Sequence, residues 1–159
     1  MNPTLSPGDD EALAFADEQA DFPLASAEPW RILIVDDEAD VHEATRLALR
    51  DLVIESCRLT LLHAYSAREA YAILAQDSNV AVILLDVVME SEDAGLHLVK
   101  QIRNDLGRQA IRIILRTGQP GYAPEIDTIH TYDINDYKTK SELTRVRLFT
   151  SLTVAIRSY

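Results

Sequence analysis

The sequence predicts an α/β domain, a five-stranded parallel sheet with helices on both faces. Three observations lead there. Val80-Ala-Val-Ile-Leu-Leu-Asp86 contains six consecutive apolar residues, too short for a helix and without polar alternation, which is how a strand buried on both faces reads. Four other apolar runs alternate with stretches of helical periodicity, as successive right-handed strand-helix-strand units require. The runs also end in polar chemistry: acids after the first and third, a threonine after the fourth and a lysine after the fifth. In open α/β sheets these ends open into a ligand crevice.

Taken in order, residues 1–29 carry seven acids and no Lys or Arg, with Pro3, Pro7, Pro23 and Pro29 among them. This composition reads as an acidic, flexible extension, in which Leu13, Phe15, Phe22 and Leu24 could support a short helix around Glu11 to Gln19. The formal charge is -11; without those seven acids, 19 remain against 15 bases, so the rest of the chain is close to balanced. Nothing in this charge pattern suits nucleic acid, whose phosphates call for clustered cations. Neither a membrane span nor a signal peptide is legible, so the expected location is the cytoplasm. The single cysteine, Cys57, excludes a disulfide framework and any multi-cysteine metal site.

The first strand, Trp30 to Val35, ends in Asp36-Asp37-Glu38, where a dinucleotide-binding fold would place glycines. A helix follows from Asp40 to Leu52, with Val41, Ala44, Ala48 and Leu52 as its expected buried face. Residues Asp51 to Arg58 read as a loop and Leu59 to Tyr65 as the second strand. Ser66-Ala-Arg-Glu69 has the spacing of a capping box and opens a helix buried through Ala67, Ala70, Tyr71 and Leu74. Beyond the central strand, an acidic loop from Glu90 to Ala94 precedes a helix, Gly95 to Asp105, whose stripe is Leu98, Val99, Ile102 and Leu106. The fourth strand, Arg112 to Arg116, ends at Thr117-Gly118. Turn formers from Gln119 to Pro124, a short helix to Thr131 and a fifth strand, Ile134 to Tyr137, lead to Lys138-Thr-Lys140. The last helix runs from about Glu142 to Tyr159. Its row Leu143, Val146, Phe149, Thr153 and Ile156 is expected to pack on the sheet. A second row, Leu148, Leu152, Ala155 and Tyr159, is then left over for self-association, and the helix is expected to continue into an output domain.

Asp36, Asp37 and Asp86, gathered at neighbouring strand ends, would raise one another's pKa unless a hard cation neutralised them, and Mg2+ suits such oxygen ligands. Lys140 and Thr117 opposite would complete a phosphoryl site. His42, His63, His97 and His130 show no helix-face pair and read as solvated or capping residues. A haloacid-dehalogenase-type phosphatase would need a second aspartate at position 88, where the chain has valine.

With these residues in place, the stretch from Trp30 to Tyr159 resembles the receiver domain of two-component response regulators. The resemblance rests on Asp36-Asp37, Asp86 with Met89 three residues on, Thr117-Gly118, and Asp136-Tyr137-Lys138-Thr139-Lys140. It implies strand order 2-1-3-4-5, Asp86 as phosphoacceptor, and Mg2+ held by Asp36, Asp37, Asp86 and the Val88 carbonyl. It likewise implies that Lys140 and Thr117 contact the phosphoryl oxygens, that Tyr137 is the aromatic switch, and that a histidine kinase or phosphotransfer protein is the donor. No independent catalysis is implied beyond self-phosphorylation from a phosphodonor and autodephosphorylation. Ser141 stands where receivers usually carry proline, Lys138 is a rival for the lysine's role, and Glu90 replaces another usual proline. Ile114-Leu-Arg-Thr-Gly-Gln-Pro120 and Tyr132-Asp-Ile-Asn-Asp-Tyr-Lys138 are similar to a subgroup whose receivers precede an uncharacterised domain and an HD-type cyclic-di-GMP phosphodiesterase or other output. The alternative reading is a receiver-shaped interaction module that is never phosphorylated.

Overall fold

The computed structural model describes residues 27–118, 126–142 and 144–159. The expected acidic extension therefore lies almost wholly outside the described residues, as do the turn formers from Gln119 to Pro124 and the side chain of Leu143. The elements are β1 (Trp30–Val35), α1 (Ala39–Leu49), β2 (Val53–Ile54), β3 (Cys57–Ala64), α2 (Ala67–Gln76), β4 (Val80–Asp86), α3 (Ala94–Lys100, prolonged by a π-helical turn Gln101–Asp105), β5 (Arg112–Thr117), α4 (Ile126–Thr131), β6 (Asp136–Thr139), a 3-10 turn (Lys140–Glu142) and α5 (Arg145–Arg157).

Six strands pair in the order β2-β3-β1-β4-β5-β6. Five are parallel, and they correspond to the five expected from sequence. The sixth corrects the loop reading of residues 51–58: β2 pairs antiparallel with β3, Val53 opposite Arg58 and Ile54 opposite Cys57. The intervening Glu55 and Ser56 both take positive φ, 49° and 63°. Tight hairpins favour that backbone, but its usual sequence signature is Asn-Gly or Asp-Gly, so the turn was invisible in the sequence.

Alternate strand residues build two cores. Leu33, Val35, Ile83, Leu85, Ile113 and Leu115 pack with Ala70, Leu74, Leu98, Val99 and Ile102 of α2, α3 and its π turn. Ile32, Ile34, Val82, Leu84 and Ile114 pack with Leu49 of α1 and with Leu148, Leu152, Ala155 and Ile156 of α5. All seven residues of β4 are buried, and each Ile or Leu so covered contributes about 1.5–3 kcal/mol relative to exposure.

The capping box forms at α2. The Ser66 hydroxyl accepts the Glu69 N–H, while the Glu69 carboxylate reaches one residue further than expected and accepts the Tyr65 N–H. The stripe of α2 is as expected, with Ala70 and Leu74 buried and Ala67 and Tyr71 packed beside them. On α1 the expected face is rotated. His42, Thr45 and Leu49 are buried, Val41, Ala48 and Leu52 are half-buried and Ala44 is exposed, because two polar side chains find partners inside. The row expected to cover the sheet on α5 is corrected as well. Val146 is 74% and Phe149 39% exposed, whereas Leu148, Leu152 and Ala155 are at most 5% exposed, so the row reserved for self-association is core. Tyr159 stands edge-on to Trp30. Strand β6 begins two residues later than expected, which brings Lys140 directly to the strand end.

One buried arginine ties loops together. Arg103, in the π turn, donates to the carbonyls of Arg108 and Gln109 before β5 and to those of Tyr132 and Asp133 after α4.

Candidate functional site

Parallel register aligns the functional ends. Val35 of β1 lies beside Leu85 of β4, Asp86 beside Arg116 of β5, and Thr117 beside Thr139 of β6. Asp36, Asp86, Thr117 and Lys140 therefore emerge at one edge of the sheet. Asp37, Glu38, Asp86, Val88, Met89, Thr117, Gly118 and Lys140 line a cleft of about 250 Å3, with Asp36 fully buried beneath it. The expected set of Asp36, Asp37, Asp86, Val88, Thr117 and Lys140 is thus brought together, and Lys140, not Lys138, is the lysine of the site. Lys138 pairs instead with Asp136 at 3.5 Å. Tyr137 is half-buried and packs against the core beside β5; its hydroxyl has no hydrogen-bond partner among the described residues.

Lys140 joins three carboxylates. Its Nζ lies 2.8 Å from Asp86 Oδ2, 3.1 Å from Asp36 Oδ2 and 2.6 Å from Glu38 Oε1. The Val88 N–H donates to Asp86 Oδ1 at 3.3 Å, and the Glu38 N–H to Asp36 Oδ1 at 3.0 Å. Asp36, Asp37, Glu38 and Asp86 each offer a carboxylate oxygen within 4.8 Å of the others, an all-oxygen donor set of the type that hard divalent cations take.

Burial pushes the Asp86 carboxyl above its ordinary range; the hydrogen bond from Lys140 partly opposes this, and the charge of Asp36 adds to it. For Lys140 burial acts downward, but Asp86, Glu38 and Asp36 outweigh it and hold the ammonium well above its usual value. Arg116 is pushed down to about 10 by burial, against the pull of Asp36 and Asp86, and stays charged at neutral pH. Because the folded pKa of Asp86 is raised, the native state binds its proton more tightly than the unfolded chain. Stability is thereby lost as pH rises from the ordinary value of 3.8 through the folded value. Asp86→Asn is accordingly expected to be more stable than the parent at pH 7, with the gain vanishing toward pH 4. Urea unfolding at the two pH values measures it.

The family model described as the response regulator receiver domain matches residues 32–152. The chain belongs to this receiver family. A 3'3'-cGAMP-specific phosphodiesterase 2 of Vibrio cholerae is 44% identical over 144 residues, 91% of this chain but 28% of the relative, so the receiver spans little more than a quarter of that protein's length. Among solved structures, the signal receiver domain of an HD domain-containing protein from Pseudomonas fluorescens aligns with TM-score 0.65 and 22% identity, covering 81% of this chain and 95% of that one. The N-terminal domain of a response regulator/sensory box/GGDEF protein from Carboxydothermus hydrogenoformans gives 0.65 at 20% identity, over 80% and 94%. At such identities the structures speak for the fold.

Five residues in and around the receiver's site escaped the sequence reading. Glu38 was seen as part of an acidic run but not as a partner of Lys140. Arg116, flanked by apolar residues, gave no sign that it is 1% exposed beneath the acids. Gly95 opens α3 against the backbone of Asp86 and Val87. His42 and His63, 21 residues apart, meet Nδ1 to Nδ1 at 2.8 Å, so the solvated reading fails for this pair. The Asp36 carbonyl at 2.8 Å requires a proton on His42 Nε2. Burial, then His42 and Arg46, holds His63 below its ordinary pKa.

Proposed function

We propose that this receiver is switched by Mg2+-dependent phosphorylation of Asp86, with a histidine kinase or phosphotransfer protein as donor. The observation that carries the reading is the contact of Lys140 Nζ with Asp86 Oδ2 inside the acidic cluster. Asp36, Asp37, Asp86 and the Val88 carbonyl would hold the ion, which supplies charge neutralisation at the phosphoryl oxygens. A carboxylate oxygen of Asp86 forms a bond to the donor's phosphorus as the bond from phosphorus to the donor breaks, leaving an acyl phosphate. Lys140 balances the oxygens left unpaired, which is most of what loose phosphoryl transfer asks of a protein. Thr117 then hydrogen-bonds the new group, and Tyr137, packed beside β5, follows it inward, biasing a pre-existing equilibrium at the face formed by β5, α4 and β6.

By likeness to the relative of which this chain covers 28%, we place an output domain after α5. We locate self-association through this helix on its exposed apolar residues Val146, Phe149 and Val154. No helix among the described residues is long and apolar enough to cross a membrane; we place the domain in the cytoplasm on its family alone.

Incubation with a small phosphodonor and Mg2+ should add one phosphoryl mass to the chain, and none to Asp86→Asn. If the parent takes up no phosphoryl group, or the variant takes it up equally, the reading fails and an unphosphorylated interaction module takes its place.

A further inference from the structure

Arg116 is a second cation beneath the site, and phosphoryl transfer as described gives it no task. Its side chain leaves β5 on the α1 and α5 face of the sheet, where Leu84, Ile114 and Leu148 line the same small gap. Nη1 donates to the hydroxyl of Thr45 in α1 at 3.0 Å, and Nη2 stands 3.9 Å from Asp36 Oδ2, with Asp36 itself fully buried. Thr45 holds the guanidinium at that distance, since its own hydroxyl is fixed by donating to the Val41 carbonyl at 2.7 Å. Nε and Nη2 have no hydrogen-bond partner among the described residues. Arginine is almost never buried to this degree without a full set of partners, so a charge with unused donors, aimed at a carboxylate just out of hydrogen-bond reach, is a feature that packing does not explain.

We infer that Arg116 is a positioning residue that sets the cation affinity of the receiver: a permanent charge behind Asp36 that offsets the acids in the metal-free domain and weakens Mg2+ binding. The inference rests on the Mg2+-dependent reading above. Asp36, Asp37, Glu38 and Asp86 form one cluster, in which Lys140 meets Asp36, Glu38 and Asp86 and Arg116 stands behind Asp36, so without Arg116 the cluster confronts an incoming ion with one more uncompensated negative charge. The pair is screened by protein rather than by water, where a unit charge changes the affinity for a divalent ion by about tenfold or more. The expected consequence is a receiver that discharges its metal readily.

Calorimetric titration of Mg2+ into the unphosphorylated protein tests this. The parent should bind one ion; Arg116→Met and Arg116→Gln should bind it about tenfold more tightly, and Arg116→Lys, which keeps the charge, close to the parent. Thr45→Val predicts the opposite sign. Released from the hydroxyl, the guanidinium closes on Asp36 and Mg2+ affinity falls, so this near-isosteric variant decides the matter even where the neutral ones do not fold. A merely structural Arg116 would lower stability in all variants without opposed shifts in affinity. Neutral variants that bind equally or more weakly, or a Thr45→Val that binds equally or more tightly, overturn the inference while leaving the phosphorylation reading intact. A parent that binds no Mg2+ overturns both.

Discussion

Gly95→Ala is expected to lower the stability of the domain by about 2–3 kcal/mol and to slow phosphorylation of Asp86 by about tenfold or more. Gly95 is in the first turn of α3, and its N–H donates to the Val87 carbonyl at 2.9 Å. A methyl group there would overlap the Asp86 carbonyl oxygen and stand 2.8 Å from Val87 Cα. Both obstacles are backbone, so neither can turn aside; α3 must move off the sheet or the Asp86 loop must shift. The first course opens the core around Leu98 and Val99, and the second displaces the Asp86 carboxylate from Lys140. Gly107→Ala is the control. There φ is 62° but the space is open, so the cost is limited to about 1 kcal/mol of backbone strain. Urea unfolding and single-turnover phosphorylation of both variants measure the difference, and a Gly95→Ala protein matching the Gly107→Ala one in both would contradict the close packing of α3 on the loop.

Leu152→Glu should abolish the folded state or leave it marginal. The side chain is fully buried among Ile32, Leu84 and Ile114, and an unpaired carboxylate there costs about 4 kcal/mol or more, a large part of the 5–15 kcal/mol that holds a domain together. Val154→Glu, at a position 64% exposed, should unfold within about 0.5 kcal/mol of the parent. Circular dichroism melting separates the two, and a Leu152→Glu protein that melts like the parent would return this row to the surface. For the same reason an interface on α5 has to be sought with Phe149 or Val154 and not with Leu152.

The two rows of α5 show where sequence pattern loses its power. Leu148-Leu152-Ala155 and Val146-Phe149-Thr153 are both mainly apolar, both recur at three or four residues, and both lead to Ile156; which one faces the sheet depends on the angle at which the helix docks, a property of Ile32, Leu84 and Ile114 as much as of α5. Strand β4 was legible because burial on both faces leaves no face to choose. The acids, threonine and lysine were legible as a set because parallel topology carries each strand end to one edge. Arg116 and the pair His42 and His63 were not, since each acquires its meaning from a partner on another element: Thr45 and Asp36 for Arg116, and each ring for the other. The β2–β3 turn was missed for a local reason, as Glu55 and Ser56 adopt positive φ without the residues that usually advertise it.

The anchoring of Arg103 to the carbonyls of Tyr132 and Asp133 makes one end of α4 a pivot. The six residues of that helix form a lever about 9 Å long, fixed at the Thr131 end and carrying Ile126, 73% exposed, at the other. A swing of roughly 20° about the fixed end would carry Ile126 through about 3 Å while leaving the carbonyls under Arg103 where they are. Any travel of α4 about that end would therefore be greatest at Ile126 and vanish at the buried arginine, an arc rather than a shift of the whole helix.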